Sequence, residues 1–136
     1  MLIQTHLKLQ GYSNKFDYDF GTVYCFENYV VGNINALTLV DTTIVKIILK
    51  DIQKFYHDSN IVYISDRQFF YEVDPSVYKL ANSKKLAGIA IVGSGKKQRA
   101  QASNEQALYS GSFSFFENMD SAISWAQSFI KPAATG

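Results

Sequence analysis

The sequence predicts a single α/β domain built on one mixed β-sheet, antiparallel at its start and parallel in its later βα units, with helices mainly on one face. Three observations predict it. Two apolar runs near the N-terminus are separated by a turn of hairpin length, and further along short apolar runs alternate with helical patterns. The chain of 136 residues can bury one core and is too short for two, so residues 1–130 are expected to form one domain and 131–136 a frayed tail.

In chain order, Leu2, Leu7 and Leu9 suggest an opening strand, followed by a polar turn from Gly11 to Lys15. Strands are expected over Thr22 to Phe26 and Tyr29 to Ile34, joined by Glu27 and Asn28. Asp41 is a plausible N-cap for a helix over Thr42 to His57, with Ile44, Ile48, Ile52 and Phe55 on one face and Lys46, Lys50 and Lys54 on another. The apolar run Ile61 to Ser65 reads as a buried strand ending in Asp66 and Arg67. Asp74 and Pro75 supply a cap and a first-turn proline for a short helix to about Ala81. Leu86 to Val92 reads as a central strand that leaves the sheet at Gly93, Ser94 and Gly95. A helix is expected from about Lys97 to Leu108, then a short strand over Phe113 to Phe116. Asn118 or Asp120 caps a last helix bearing Met119, Ala122, Ile123, Ala126, Phe129 and Ile130.

Composition narrows the function classes. Apolar residues make up 47% of the chain and charged residues 18%, the balance of a folded protein. Thirteen Lys plus Arg against twelve Asp plus Glu leave a net charge of +1, too little for the electrostatic footprint of a nucleic-acid binder. The single Cys25 excludes an internal disulfide and reads as a core residue in a reducing, cytoplasmic compartment. Neither a signal-peptide h-region nor a membrane-spanning stretch is expected. Ten Phe and nine Tyr leave rings available for a partner surface as well as for the core.

The order of elements, with Ile61-Val62-Tyr63-Ile64-Ser65-Asp66-Arg67 in the middle and Asp120, Ala122, Ile123 and Trp125 in the closing helix, resembles the SpoIIAA-like or STAS superfamily over about residues 20–130. The resemblance implies a non-catalytic module. Members include phosphorylated anti-sigma-factor antagonists and transporter appendages, and a SEC14-type lipid-carrier group shares the topology. The antagonists' Asp-Ser-Ser-Gly signature is absent, because the corresponding stretch reads Ser65-Asp66-Arg67-Gln68. Ser65 is the nearest hydroxyl, so Ser65, Asp66 and Arg67 are the candidate phosphorylation or partner site that the resemblance implies.

Other candidates come from the residues themselves. Phe69, Phe70, Tyr71 and Tyr78, with Tyr63, are more rings than a loop and a short helix need, so they suggest a partner surface or a core beneath an irregular segment. Ser94, Lys96 and Lys97 form a candidate anion site after a strand, although the spacing is not that of a Walker loop. Lys96, Lys97 and Arg99 oppose the dipole of a helix starting there by about 0.3–1 kcal/mol each. A solvated loop with the helix starting nearer Ser103 explains them equally well. Asp17 and Asp19 would share a face on a strand, as an acid–base pair needs, but a turn is the simpler explanation. The lysine stripe on the first helix reads as a solvated face. His6 and His57 have no neighbours suited to metal or catalysis.

The expected function is therefore a non-enzymatic regulatory or protein-binding module, without cofactor or metal, that binds a protein partner or itself as a homodimer. The alternative is a carrier of a small apolar ligand, with its pocket between the first helix and the sheet.

Overall fold

The computed structural model describes residues 11–57, 60–83 and 86–130. Its elements are β1 (Asn14–Tyr18), β2 (Gly21–Cys25), β3 (Tyr29–Ile34), β4 (Leu39–Val40), α1 (Thr42–Tyr56), β5 (Val62–Asp66), β6 (Glu72–Val73), α2 (Val77–Ser83), β7 (Gly88–Val92), α3 (Gly95–Gln106), β8 (Ser112–Phe116) and α4 (Met119–Gln127). Six strands form one sheet in the order β1-β2-β3-β5-β7-β8, and β4 pairs with β6 in a separate two-stranded ribbon. The first three strands are antiparallel and the remaining pairs parallel. This is the mixed sheet that the sequence predicts.

The helix placement follows from strand order. From β3 through β5 and β7 to β8 the chain always steps to the same side, so right-handed crossovers put α1, α2 and α3 on one face. On that face Val30 and Ile34 meet Ile48 and Ile52 of α1, while Ile89 and Ile91 meet Val77, Tyr78 and Ala81 of α2 and Ala102 of α3. Among the described residues only α4, which follows the last strand, covers the other face, where Ala122 and Ala126 pack on Val31, Val62, Ile64 and Ala90. Small residues permit that approach: a Cβ on Gly88 would stand 2.9 Å from the Trp125 ring. Trp125 is half-buried, packing its ring against Phe116 and Phe129 rather than sinking into the core.

The caps act as expected at two helices. Asp41 accepts from the Ile44 N–H at 3.1 Å, and Asn118 accepts from the Ser121 N–H at 2.8 Å. Cys25 is buried in the core.

Some expectations fall on residues that are not described, and others need correction. The opening strand placed around Leu2 to Leu9, the residue His6 and the tail 131–136 all lie outside the described residues. Of the segment read as a polar turn, Gly11 to Ser13 lie outside any strand, but Asn14 and Lys15 join Phe16, Asp17 and Tyr18 in strand β1, in full register with β2 from Asn14↔Cys25 to Tyr18↔Gly21. Its polar residues are the solvent face of an edge strand: Lys15 and Asp17 point outward, while Phe16 and Tyr18 pack inward. Asp17 and Asp19 are not a pair on one strand face, because Asp19 lies in the turn and Asp17 accepts from the Thr22 hydroxyl. Helix α2 begins at Val77, since the Asp74 side chain holds Ser76 in a turn first. Helix α3 begins at Gly95, which overturns both the start at Lys97 and the solvated loop running to Ser103.

Gly21 sits at φ +152°, where a Cβ would lie 2.2 Å from the Asn33 carbonyl oxygen of the adjacent strand. Gly21→Ala is therefore expected to cost about 2–4 kcal/mol in urea denaturation, through backbone strain and overpacking. A neutral variant would contradict the β2–β3 register.

Candidate functional site

The parallel strands β3, β5 and β7 end at Ile34, Asp66 and Val92, and the segments that leave them carry most of the candidate residues. After β3 and β5 the chain forms the β4–β6 ribbon, with Leu39 opposite Glu72 and Val40 opposite Val73. Val40 and Val73 turn inward, while Leu39 and Glu72 face solvent. The ribbon thus roofs one end of a cavity between the sheet and helices α1 and α2. Its volume is about 90 Å³, and its walls include Ile34, Ile48, Tyr63, Ala81, Ile89 and Ile91.

One end of this apolar space is polar. Arg67 follows β5 directly, its N–H bonded to the Val92 carbonyl, so the sheet fixes where its side chain starts. The guanidinium reaches Glu105 of α3 through two bonds of 2.6 and 2.7 Å, with both side chains buried. Its Nε donates to the Ser65 Oγ at 3.0 Å, and that oxygen meets the Tyr71 hydroxyl at 2.7 Å. The Tyr78 hydroxyl donates to Glu105 at 2.5 Å, and the guanidinium also lies over the Tyr71 ring. Burial works against the charge on Arg67, but the bonds to Glu105 more than offset it and hold Arg67 above its ordinary range. Burial raises Tyr71 and Tyr78 above the usual phenol value, Glu105 adding to the effect at Tyr78. The cluster therefore joins the Arg67 guanidinium to the Glu105 carboxyl and surrounds them with neutral phenols.

Helix α3 holds the same segment along its length. Gln98 accepts from the Ser94 N–H and donates to the Arg67 carbonyl at 3.0 Å, Gln101 donates to the Tyr71 carbonyl at 3.4 Å, and Glu105 takes Arg67 itself. Spaced at i, i+3 and i+7, these three side chains form one face with Ala102. The inward face of α3 is a hydrogen-bonding stripe, which explains why the helix carries almost no apolar periodicity.

The sequence candidates separate into three places. Ser65, Arg67, Tyr71 and Tyr78 come together in the buried cluster, and Ser65 is 5% exposed with its Oγ engaged by two neighbours. Asp66 points to the opposite face, accepting from Asn33 at 2.9 Å and Gln68 at 3.2 Å. Phe69 and Phe70 are 46% and 40% exposed, separate from the buried Tyr71 and Tyr78. Leu37, 88% exposed, lies beside them, its N–H bonded to the Phe70 carbonyl, and exposed Leu39 follows. Lys96 and Lys97 lie exposed on the first turn of α3, the Lys97 ammonium 4.2 Å above the Phe70 ring. Ser94 is the N-cap residue, but its side chain makes no cap bond and Gln98 occupies its N–H.

Sequence reasoning missed Glu105, Leu37 and Leu39. Glu105 stands in a polar helix and carries no motif, and only the fold shows that it faces inward. No group of three or more His, Cys, Asp or Glu able to hold a metal occurs among the described residues.

Two outcomes test this geometry. Glu105→Ala is expected to cost about 3–5 kcal/mol by chemical denaturation because it strands a buried guanidinium, whereas Arg67→Met with Glu105→Met restores most of that loss. Burial raises the Asp66 carboxyl above its ordinary 3.8, with the bonds from Asn33 and Gln68 opposing the shift. The folded state then binds that proton more tightly than the unfolded state, so stability falls as pH rises from the ordinary value through the raised one. Asp66→Asn is expected to flatten that decline in denaturation curves collected across the same range.

Comparisons with known proteins fall on the fold. No family model and no curated protein matches the chain. Among solved structures, the chain is similar to an uncharacterized protein of the DUF3478 family with a SpoIIAA-like fold from Shewanella loihica PV-4. The match has a TM-score of 0.52 and 14% identity, covering 83% of this chain and 90% of that one. With its antiparallel start, parallel βα units and closing helix, the chain has a SpoIIAA-like fold.

Proposed function

We propose that this protein is a non-catalytic, cytoplasmic binding module with a STAS-like fold, and that its ligand site is the apolar cavity between the sheet and helices α1 and α2. The observation that carries this reading is the pairing of apolar walls with a polar end whose charges already satisfy each other. Such a site offers burial to an apolar body. Its ionised groups are committed to structure, not poised for chemistry. The topology shared with SEC14-type lipid carriers supports the same reading. At about 90 Å³, against roughly 150 Å³ for an apolar cavity that takes benzene, the space suits a small molecule or one short chain rather than a two-chain lipid.

Native mass spectrometry of the protein purified from its own host tests the reading. A non-covalent added mass that is lost on denaturation is expected. Ala81→Leu, which fills the cavity from α2, should abolish it while preserving the fold. A bare chain in both proteins would contradict the carrier role.

A second reading rests on the exposed patch formed by Leu37, Leu39, Phe69 and Phe70 beside Lys96 and Lys97. Apolar residues next to exposed ammonium groups match a protein partner whose docking segment carries leucines and carboxylates. A Leu/Glu amphipathic peptide is expected to shift the NMR resonances of Phe69 and Phe70 more than a Leu/Lys peptide does. Self-association would appear instead as concentration-dependent sedimentation of the protein alone. Leu37→Ser with Phe70→Ser should change stability by no more than about 0.5 kcal/mol per site, because both are surface positions.

A further inference from the structure

The polar end of the cavity carries more information than its apolar walls, because it limits the charge of the occupant. Arg67 is the cation at that end, and its side chain is buried. Glu105 takes it through two bonds and Ser65 takes its Nε. An anionic head group entering here would lose its water and find the one cation already neutralised beside a buried carboxylate. A carboxylate or phosphate is therefore poorly matched to the site. A cationic head group fares no better, since Glu105 is held by Arg67 and Tyr78.

The hydroxyls divide unequally. Tyr71 and Ser65 bond to each other, and Tyr78 bonds to Glu105. Tyr63 is different: it lines the cavity, yet its hydroxyl makes no hydrogen bond among the described residues. The ring lies across the sheet from β5 over Gly32 of β3, where a Cβ would stand 2.0 Å from the hydroxyl oxygen. Glycine at that position leaves the room in which the hydroxyl sits. Tyr63 is only partly buried, and its hydroxyl, without a protein partner, is open to bond a water or a ligand.

We propose that the cavity selects a small neutral organic molecule with one hydrogen-bonding group, of the phenol, alcohol or ketone class, anchored by the Tyr63 hydroxyl. This rests on the cavity being the ligand site. The apolar body of the ligand packs against Ile48, Ala81 and Ile89, and its single polar atom meets Tyr63. Arg67 and Glu105 serve as a neutral end wall, not as a binding pair.

Phenol, benzene and benzoate separate the terms, since they share a ring and differ in one substituent. Each is titrated at pH 7 into the full chain and into Tyr63→Phe, with binding read from amide shifts of Ile48, Ala81 and Ile89. Tyr63→Phe removes an unbonded hydroxyl, so the variant should fold as the parent does. In the parent, phenol is expected to bind about fivefold more tightly than benzene, the increment of one net hydrogen bond. Benzoate is expected to bind at least about tenfold more weakly than phenol, because its charge loses water without compensation. In Tyr63→Phe, phenol should fall to the affinity of benzene while benzene is unchanged. Benzoate binding as tightly as phenol would overturn neutral selection and leave the cavity reading standing. An unchanged preference for phenol in Tyr63→Phe would overturn the anchor alone. If none of the three shifts these amides at millimolar concentration, the cavity reading fails with the inference.

Discussion

The buried contact between Arg67 and Glu105 is the constraint on which the site depends. Both groups are out of water, so neither tolerates loss of the other, and the pair fixes the segment after β5 against α3. With that segment pinned, Tyr71 and Tyr78 close around the same two charges and β6 lies beside β4. The ribbon then roofs the cavity. The segment from Arg67 to Tyr71 has little regular structure of its own. Its order comes from α3, which holds the Arg67 and Tyr71 carbonyls with Gln98 and Gln101 and the Arg67 side chain with Glu105. A helix whose inward face bonds rather than repels water can perform this task, and an apolar helix cannot.

The sheet explains why the cavity lies where it does. Ligands of doubly wound sheets bind where strand order reverses and the helices part to opposite faces. Here β3, β5, β7 and β8 follow one another without reversal, so no such crevice opens among the described strands. Three helices crowd one face instead. Between α1 and α2 a small space is left, lined by the short side chain of Ala81 on α2 among others. The opposite face, where α4 seats alanines on Gly88 and Ala90, is closely filled.

Much of the architecture is legible in the sequence because it depends on local signals. Alternation and length identify β2, β3, β5 and β7, and Asp41 and Asn118 announce their helices by the chemistry of a cap. Strand β1 is obscured because Asn14, Lys15 and Asp17 belong to an exposed edge, where pairing rather than composition makes the strand. The two-residue strands β4 and β6 carry no periodicity at all. For the candidate site, the aromatic excess around Tyr63 to Tyr78 marks the segment beside the cavity, but Phe69 and Phe70 separate from the buried Tyr71 and Tyr78 only when the chain folds. Glu105 is invisible for a related reason. Its role depends on Arg67, 38 residues away, and no spacing rule links a strand end to the last turn of a later helix.

Between α1, α2 and the sheet the molecule thus holds a small, mostly apolar space with a self-neutralised end. A crystal of the protein pressurised with xenon tests that claim most directly, because xenon enters apolar cavities that water leaves empty. The account predicts xenon density between α1, α2 and the sheet, in contact with Ile48, Ala81 and Ile89, with the Arg67–Glu105 pair unmoved. A site without xenon, in which α1 and α2 have closed onto the sheet or ordered water fills the space, would contradict it.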